Sequence, residues 1–557
     1  MPGTRASQRL LAAGLLVALG LSYWRLYYGV DFTDEAWYVA VPYRFVLGGK
    51  PYVDELSVPQ TTAGVLLYPF VWAYHALVGR SGIVLFVRHV HFLVALAIGA
   101  SVSVALRRVA GATTAFLAGL AAFSFVPFAI PSVSYDSLGS GLFTAGTLLG
   151  FLSLARPRAR PWAGLCLGLA AFSYPPLILG VVASCALRLF VNRRQPRGEL
   201  VISAIALAVP VAGFALLAAV AGPHQIISDY RRSSHYLGQA GGLTKLHGIA
   251  AHLKDTFPLW YLAAAGLLLL AWSWARGWKR LAAVVLVLLP LTGLSQHPRS
   301  YTASLDFVAH AGWLALPLLY ALRRRQEAVE LFVAVWIPAL VGGLVTAYSS
   351  ANGGVNFGVG FFPAVVVSLV FATWSLQELG EREALPASSA ALLLALVVFV
   401  IDVVPVYRDA QLLKLNTMIS SGPYAGLVTN RPKAVFLDDL NRDLASVGAS
   451  CRISFFVDFP AGYLLTPAQP DTSAVWTATV SRRLTNAYHD DLIRYWVTHG
   501  YPDVIVLMHR IPFALPASAR IESYTSTDPL LVVLHTHDYR RTADRLDYSV
   551  YRRDSCS

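Results

Sequence analysis

The sequence predicts an α-helical polytopic membrane protein of about thirteen transmembrane helices, with an interfacial helix in its first outer loop and a small C-terminal extracytoplasmic α/β domain. Three observations predict it. Apolar residues make up 56% of the 557-residue chain and charged residues 13%, too few charges for an ordinary soluble domain. The formal net charge of +13 sits in short Lys/Arg clusters between apolar runs, the pattern of membrane topology and not of nucleic-acid binding. Near residue 406 the composition turns polar and mixed.

The first apolar run, from about Leu10 to Tyr28, follows Arg5 and Arg9. Bulky Tyr23, Trp24, Arg25, Tyr27 and Tyr28 stand where a signal peptide would need small residues, so the run reads as an uncleaved span with a cytoplasmic N-terminus. Counting this one, span centres fall at Leu16, Leu96, Leu120, Leu148, Leu169, Val182, Leu207, Leu267, Leu286, Leu316, Val335, Val367 and Leu394. This alternation puts Arg107/Arg108, Arg156/Arg158/Arg160, Arg193/Arg194/Arg197, Arg276/Lys279/Arg280 and Arg323 to Arg325 all on the cytoplasmic side. It requires the apolar stretch Thr62 to Val78 to lie along the surface, which suits its Tyr68, Trp72, Tyr74 and His75.

The chain divides into a transmembrane module, 1–405, and an extracytoplasmic domain, 406–557. In the second part Lys433 to Leu437, Ile453 to Val457 and Val504 to Leu507 read as strands and Asp490 to Thr498 as a helix. Cys166 and Cys185 lie in apolar runs; Cys451 and Cys556 lie in the polar part, where an oxidising compartment would allow them to pair.

Chemistry concentrates on the outer side. The segment DFTDEAWYVAVPYRFVLGG places Asp31, Asp34 and Glu35 at helical spacing, so their carboxylates can converge. Capping of a helix N-terminus by Asp31 or Thr33 explains the same residues equally well. A carboxylate at the outer boundary beside Trp37 and Tyr38 also suits a general base for a substrate hydroxyl. A second acid, Asp136 in PSVSYDSLGS, emerges on the same face, with capping by Asp136 or Ser137 as its ordinary alternative. Basic residues out of line with the inside bias are Arg88, Arg231, Arg232, His235, Lys245, His297 and Arg299. Solvated or headgroup-facing side chains are their ordinary reading, and a lipid-linked phosphate is the sharper one. The carboxylates are hard oxygen ligands that would accept a divalent cation, but no spacing requires one.

The acidic pair in DEAWY, the loop GGKPYVDELSVPQTTAGVLLYPF, Arg88 at the next helix entry and SYDSLG two spans on together resemble the polyprenyl-phosphate-sugar-dependent integral-membrane glycosyltransferases of the GT-C superfamily. These include protein O-mannosyltransferases and aminoarabinose transferases acting on lipid A. The resemblance covers most of the first 200 residues and the later spans in general layout. It implies inverting transfer of one sugar from a polyprenyl-phosphate carrier to a hydroxyl of a glycan, lipid or protein acceptor, with membrane lipid as a partner and no required cofactor. By motif position it implies Asp34 as catalytic base, Glu35 as its neighbour and Asp136 as the second outer-loop aspartate. Many members carry a Lys-Pro-Pro-like turn whose lysine faces the donor phosphate. Here that stretch reads SVPQTTAG, which leaves Arg88, Arg231, Arg232, His297 and Arg299 as phosphate-binding candidates.

Two other classes compete. A transporter or flippase of a lipid-linked substrate would place ionisable groups near the bilayer midplane and show internal repeats. Here the ionisable groups crowd one face, although Pro175 and Pro176 leave room for a broken helix. A membrane-anchored assembly protein would explain the tail but not the acidic loop.

Overall fold

A computed structural model describes residues 3–56, 58–193, 196–236, 242–256, 301–377, 405–456, 459–476, 492–510 and 529–554. The chain opens with α1 (Gly3–Arg25), α2 (Asp34–Val46) and α3 (Val58–Val78). A helical body follows: α4 (Ile83–Ala110), α5 (Ala112–Ser124), α6 (Tyr135–Ser153), α7 (Arg160–Ser173), α8 (Ile178–Val191) and α9 (Pro196–Ala221). After α10 (Pro223–Tyr236) and α11 (Gly242–Thr256) come α12 (Ala303–Trp313), α13 (Ala315–Ala321) and α14 (Gln326–Leu331). A π-helical turn joins α14 to α15 (Ile337–Ser349), and α16 (Phe357–Gln377) follows.

Among the described residues five helices are long and apolar enough to cross a membrane: Gln60–Val78, Ile83–Ala110, Pro196–Ala221, Gln326–Ser349 and Gly353–Ser375. The expected centres at Leu267, Leu286 and Leu394 lie outside the described residues, and each of the others falls within a described helix. The helices pack through small residues, which bring backbones close where lipid provides no hydrophobic drive. A methyl group on Gly360 of α16 would lie 2.3 Å from the Gly342 carbonyl oxygen of α15.

Although α3 is long enough to span, both of its ends are bonded to the C-terminal part. Before it, Leu56 N–H donates to the Ser473 carbonyl at 2.9 Å. After it, Arg80 donates to the Leu465 carbonyl at 2.7 Å and Gly82 N–H to Gly422 at 2.9 Å. The 21-residue helix, about 31 Å long, packs chiefly on α2 and also touches α4, α6, α7 and α10.

That part holds a two-stranded antiparallel pair, β1 (Thr417–Met418) and β2 (Val428–Thr429), and a five-stranded mixed sheet. The sheet comprises β3 (Arg452–Phe456), β4 (Gln469–Pro470), β5 (Val504–Met508), β6 (Arg540–Asp544) and β7 (Tyr548–Arg552). Their spatial order is β4-β3-β5-β7-β6. The first three are parallel, and β7 runs antiparallel to both β5 and β6. Residues 492–499 form a helix, as expected, and β3 and β5 lie where strands were expected. The expected strand at Lys433 to Leu437 is instead part of α17 (Arg431–Asp443). Its Asn430 side chain caps the Lys433 N–H at 3.0 Å, and Lys433, Phe436, Leu437 and Leu440 are buried at three- and four-residue spacing. A five-residue apolar run does not distinguish a buried strand from one face of a helix. Cys451 is disulfide-bonded, and Cys166 and Cys185 are free. Cys556 lies outside the described residues.

The first loop and the C-terminal part share one seam. Phe32 sits among Tyr424, Phe436 and Phe459 at ring-centroid distances of 6.1, 5.6 and 5.5 Å. Arg44 of α2 donates to Glu55 at 3.0 Å and to the carbonyls of Pro470 and Thr472 at 3.2 and 2.6 Å. Glu55 also accepts from the Val475 N–H at 3.0 Å. Arg44→Met strands the Glu55 carboxylate in a site closed to water, so we expect a loss of about 3–5 kcal/mol of stability. Thermal unfolding of the purified protein in detergent measures it.

Candidate active site at the first outer loop

Helix α2 begins at Asp34, and Thr33 occupies its N-cap position without a side-chain cap bond. Capping falls to Asp31 instead. Its Oδ1 accepts from Thr33 N–H at 3.1 Å and Oγ1–H at 2.8 Å, and its Oδ2 accepts from Glu35 N–H at 2.8 Å. Because the helix starts three residues later than the 31/34/35 spacing implied, the three carboxylates take different partners, although Asp31 and Asp34 share the Thr33 hydroxyl. Asp31 serves the backbone and Glu35 points to α4, leaving Asp34 to point at the chain that enters the C-terminal part.

Glu35 is paired with Arg88 of α4. The guanidinium meets it through Nε to Oε1 and Nη2 to Oε2, both at 2.6 Å. Arg88 also donates to the carbonyls of Leu26 and Tyr28 from Nη1, at 2.6 and 3.1 Å, and of Gly29 from Nη2, at 2.7 Å. Its five N–H groups thus match five acceptors within the protein, and both side chains are 2% exposed. Arg88 thus braces the turn between α1 and α2, with Glu35 as its counter-ion.

Asp34 is different. Tyr407 Oη–H donates to its Oδ2 at 2.6 Å, Arg408 Nη1 lies 2.9 Å from the same oxygen, and Thr33 Oγ1–H donates at 3.2 Å. Arg408 also bonds Thr33 Oγ1. The Asp34 side chain keeps 17% of its surface exposed. Burial, and then the Asp31 charge, push its carboxyl above the usual carboxylate range, while Arg408 and the Tyr407 and Thr33 hydroxyls pull it back. The N-terminus of α2 adds further support for the anion.

Tyr407 and Arg408 were not singled out in the sequence. They stand 373 and 374 positions from Asp34, in the segment PVYRDA that leads from the last apolar run into the tail. A Tyr-Arg-Asp cluster at such an exit was the available signal. Its next residue, Asp409, anchors the segment. Oδ2 accepts from Val30 N–H at 2.8 Å and Thr429 Oγ1–H at 2.6 Å, and Oδ1 accepts from Asn430 at 2.5 Å. Lys433, fully buried, donates to the Val30 carbonyl at 2.7 Å and to the Arg408 carbonyl.

Asp136 lies in the first turn of α6, but Ser134 caps that helix through a reciprocal pair with Ser137. The Asp136 carboxylate is buried, and its Oδ1 has no hydrogen-bond partner among the described residues. Both Asp34 and Asp136 act on the phenol of Tyr38, which burial and then these charges push well above its ordinary value. Between the two acids runs an aromatic wall. Tyr135 lies 5.9 Å from Trp37, 6.2 Å from Tyr38 and 5.0 Å from Tyr174, centroid to centroid. Gln60, from the stretch SVPQTTAG, ties the acid-bearing helices together. It donates to the Tyr38 carbonyl at 3.4 Å and accepts from Tyr135 N–H at 3.2 Å.

Arg231 is exposed on α10, which packs on α9 and α3. The side chain of Arg232, and His297 and Arg299, lie outside the described residues. Among the described residues no group of three or more His, Cys, Asp or Glu is placed to hold a metal ion. Asp31 accepts from backbone N–H groups and Glu35 is paired with Arg88.

No protein-family model matches the chain, and no curated protein matches it. Among solved structures, ArnT from Cupriavidus metallidurans in the apo state aligns over 98% of both chains at 15% identity, with a TM-score of 0.53. The chain has the ArnT fold. The same protein bound to undecaprenyl phosphate aligns over 97% of both chains at 14% identity and a TM-score of 0.41. The Archaeoglobus fulgidus oligosaccharyltransferase, complexed with Zn and sulfate, aligns over 89% of this chain and 68% of its own at 11% identity and a TM-score of 0.49.

An infrared pH titration tests the Asp34 environment. We expect a protonated-carboxyl band, absent in Asp34→Asn, that titrates above the ordinary aspartate value of about 3.9. In Asp31→Asn, which removes a negative neighbour, the band should move to lower pH.

Proposed function

We propose that the protein transfers a single sugar, with inversion, from a polyprenyl-phosphate carrier to an acceptor hydroxyl at the extracytoplasmic membrane face. One observation carries the reading: Asp34 is a partly exposed carboxylate on a rigid helix start, raised toward proton-accepting range and not engaged in capping. The ArnT fold and the DEAWY and SYDSLG motifs support the same class of chemistry.

In this scheme Asp34 takes the proton of the acceptor hydroxyl as that oxygen attacks the anomeric carbon. The bond from the anomeric carbon to the phosphate oxygen breaks on the opposite side, and the lipid phosphate leaves with its electron pair. A base raised by burial holds a proton better at the moment of attack, which matches the demand of an alcohol. Asp136, whose Oδ1 has no hydrogen-bond partner among the described residues, is the second acid of the site, and the half-buried Tyr135 offers a ring to a sugar. Asp31, Glu35 and Arg88 fix the base from below. Residues 1–405 form the catalytic module and 406–557 the domain that closes it, with the N-terminus cytoplasmic and the tail outside.

Asp34→Asn in purified membranes with a synthetic polyprenyl-phosphate-sugar donor should lose about 10²–10⁴-fold of its transfer rate while still binding donor. Full activity would overturn the assignment of the base. Topology has its own check: a reporter fused after Ser557 should read as extracytoplasmic, and a cytoplasmic signal would put the tail on the wrong side for this site.

A further inference from the structure

A lipid-linked phosphate leaving group requires a cation beside the anomeric carbon, and the stretch SVPQTTAG provides none. The described cations around Asp34 are Arg25, Arg88, Lys433 and Arg408. Arg25 is buried and donates to the carbonyls of Tyr28 and Pro405 at 2.5 and 2.8 Å. Arg88 is matched at every N–H, as described above. Lys433 is sealed under Phe32, its Nζ 5.1 Å from the ring centroid. Arg408 alone among these four keeps a sizeable share of its surface, 27%, and it does so at the same mouth as Asp34.

Arg408 is also mounted to move. Its backbone is pinned, since Lys433 bonds its carbonyl and the neighbouring Asp409 is fixed by three donors. It adopts a left-handed φ of 48°, uncommon outside glycine. Its guanidinium, in contrast, rests on its own Tyr407 ring at 4.9 Å, bonds Thr33 Oγ1 and lies 2.9 Å from Asp34 Oδ2. The charged and titratable groups acting on it include Asp34, Tyr407, Asp31, Tyr301 and Lys433. A phosphate offers a guanidinium a two-nitrogen clamp.

We propose that Arg408 is an exchangeable counter-ion: it neutralises Asp34 while the donor is absent and swings to the lipid-linked phosphate when the donor enters, leaving the Asp34 carboxylate free to take the acceptor's proton. This rests on the sugar-transfer reading above. It adds a coupling, because loss of the cation that stabilises its ionised form makes Asp34 a stronger base at the moment the donor is in place.

The test uses the full-length protein in detergent, with a polyprenyl phosphate and the matching polyprenol as probes. Wild type should bind the phosphate more tightly than the alcohol, and Arg408→Ala should lose about tenfold to a hundredfold in phosphate affinity with alcohol affinity unchanged. Arg408→Lys, which keeps the charge without the fork, should fall between the two. Asp34→Asn should bind the phosphate more tightly than wild type, and this gain should vanish in the Arg408→Ala background. An equal gain in both backgrounds would overturn the exchange, and unchanged phosphate affinity in both Arg408 variants would overturn the contact. If wild type does not prefer phosphate over alcohol, the phosphate-linked donor itself fails and the proposal falls with it. Retained thermal unfolding in the Lys variant guards against a collapse caused by the Ala substitution.

Discussion

Charge removed from water is the constraint around which this molecule is arranged. At the seam between the first loop and the C-terminal part, ionised groups are buried in quick succession, and each has its partner within reach. Arg44 meets Glu55, Arg88 meets Glu35, and Lys433 and Asp409 hold the loop's backbone at Val30 from two sides. Such pairs add little net stability over well-packed apolar residues, because desolvation offsets most of the Coulomb attraction. Their effect is on geometry. A seam of this kind closes in one register, since any slip leaves a buried charge alone at a cost of several kcal/mol.

The constraint separates structural charges from reactive ones. Glu35 and Asp34 are adjacent, yet of the two only Asp34 keeps surface and a hydroxyl donor. Its position is set by neighbours that do not themselves need to react. Asp31 holds the N–H groups on either side of it, and Arg88 ties the preceding turn to α4. The residues flanking α3 are bonded to the tail, and Gln60 at its start links the two acid-bearing helices.

Much of this was legible in the sequence, and the part that was not has physical causes. Apolar length and the alternation of basic loops located the helices because the bilayer fixes both. The acidic triplet left convergence and capping open in the sequence, and Asp31 caps because the helix starts only at Asp34. Lys433 to Leu437 was misread because short apolar runs carry no period. The pairing of Arg88 with Glu35 crosses 53 positions of sequence, and the Tyr407 and Arg408 contacts cross more than 370. No local pattern encodes contacts of that range.

The same seam asks little of the composition of the residues it joins. Many of its bonds run from a side-chain donor to a backbone acceptor. Arg88 takes the carbonyls of Leu26, Tyr28 and Gly29, Arg44 those of Pro470 and Thr472, Arg80 that of Leu465 and Lys433 that of Val30. A carbonyl is present whatever residue bears it, so the acceptor half of each bond places no demand on the sequence. A few long cations at the right places are enough to specify the docking, while the residues opposite them remain free to change. Such a seam constrains position strongly and composition weakly, which is why motifs around the acids are recognisable while most of the chain is not.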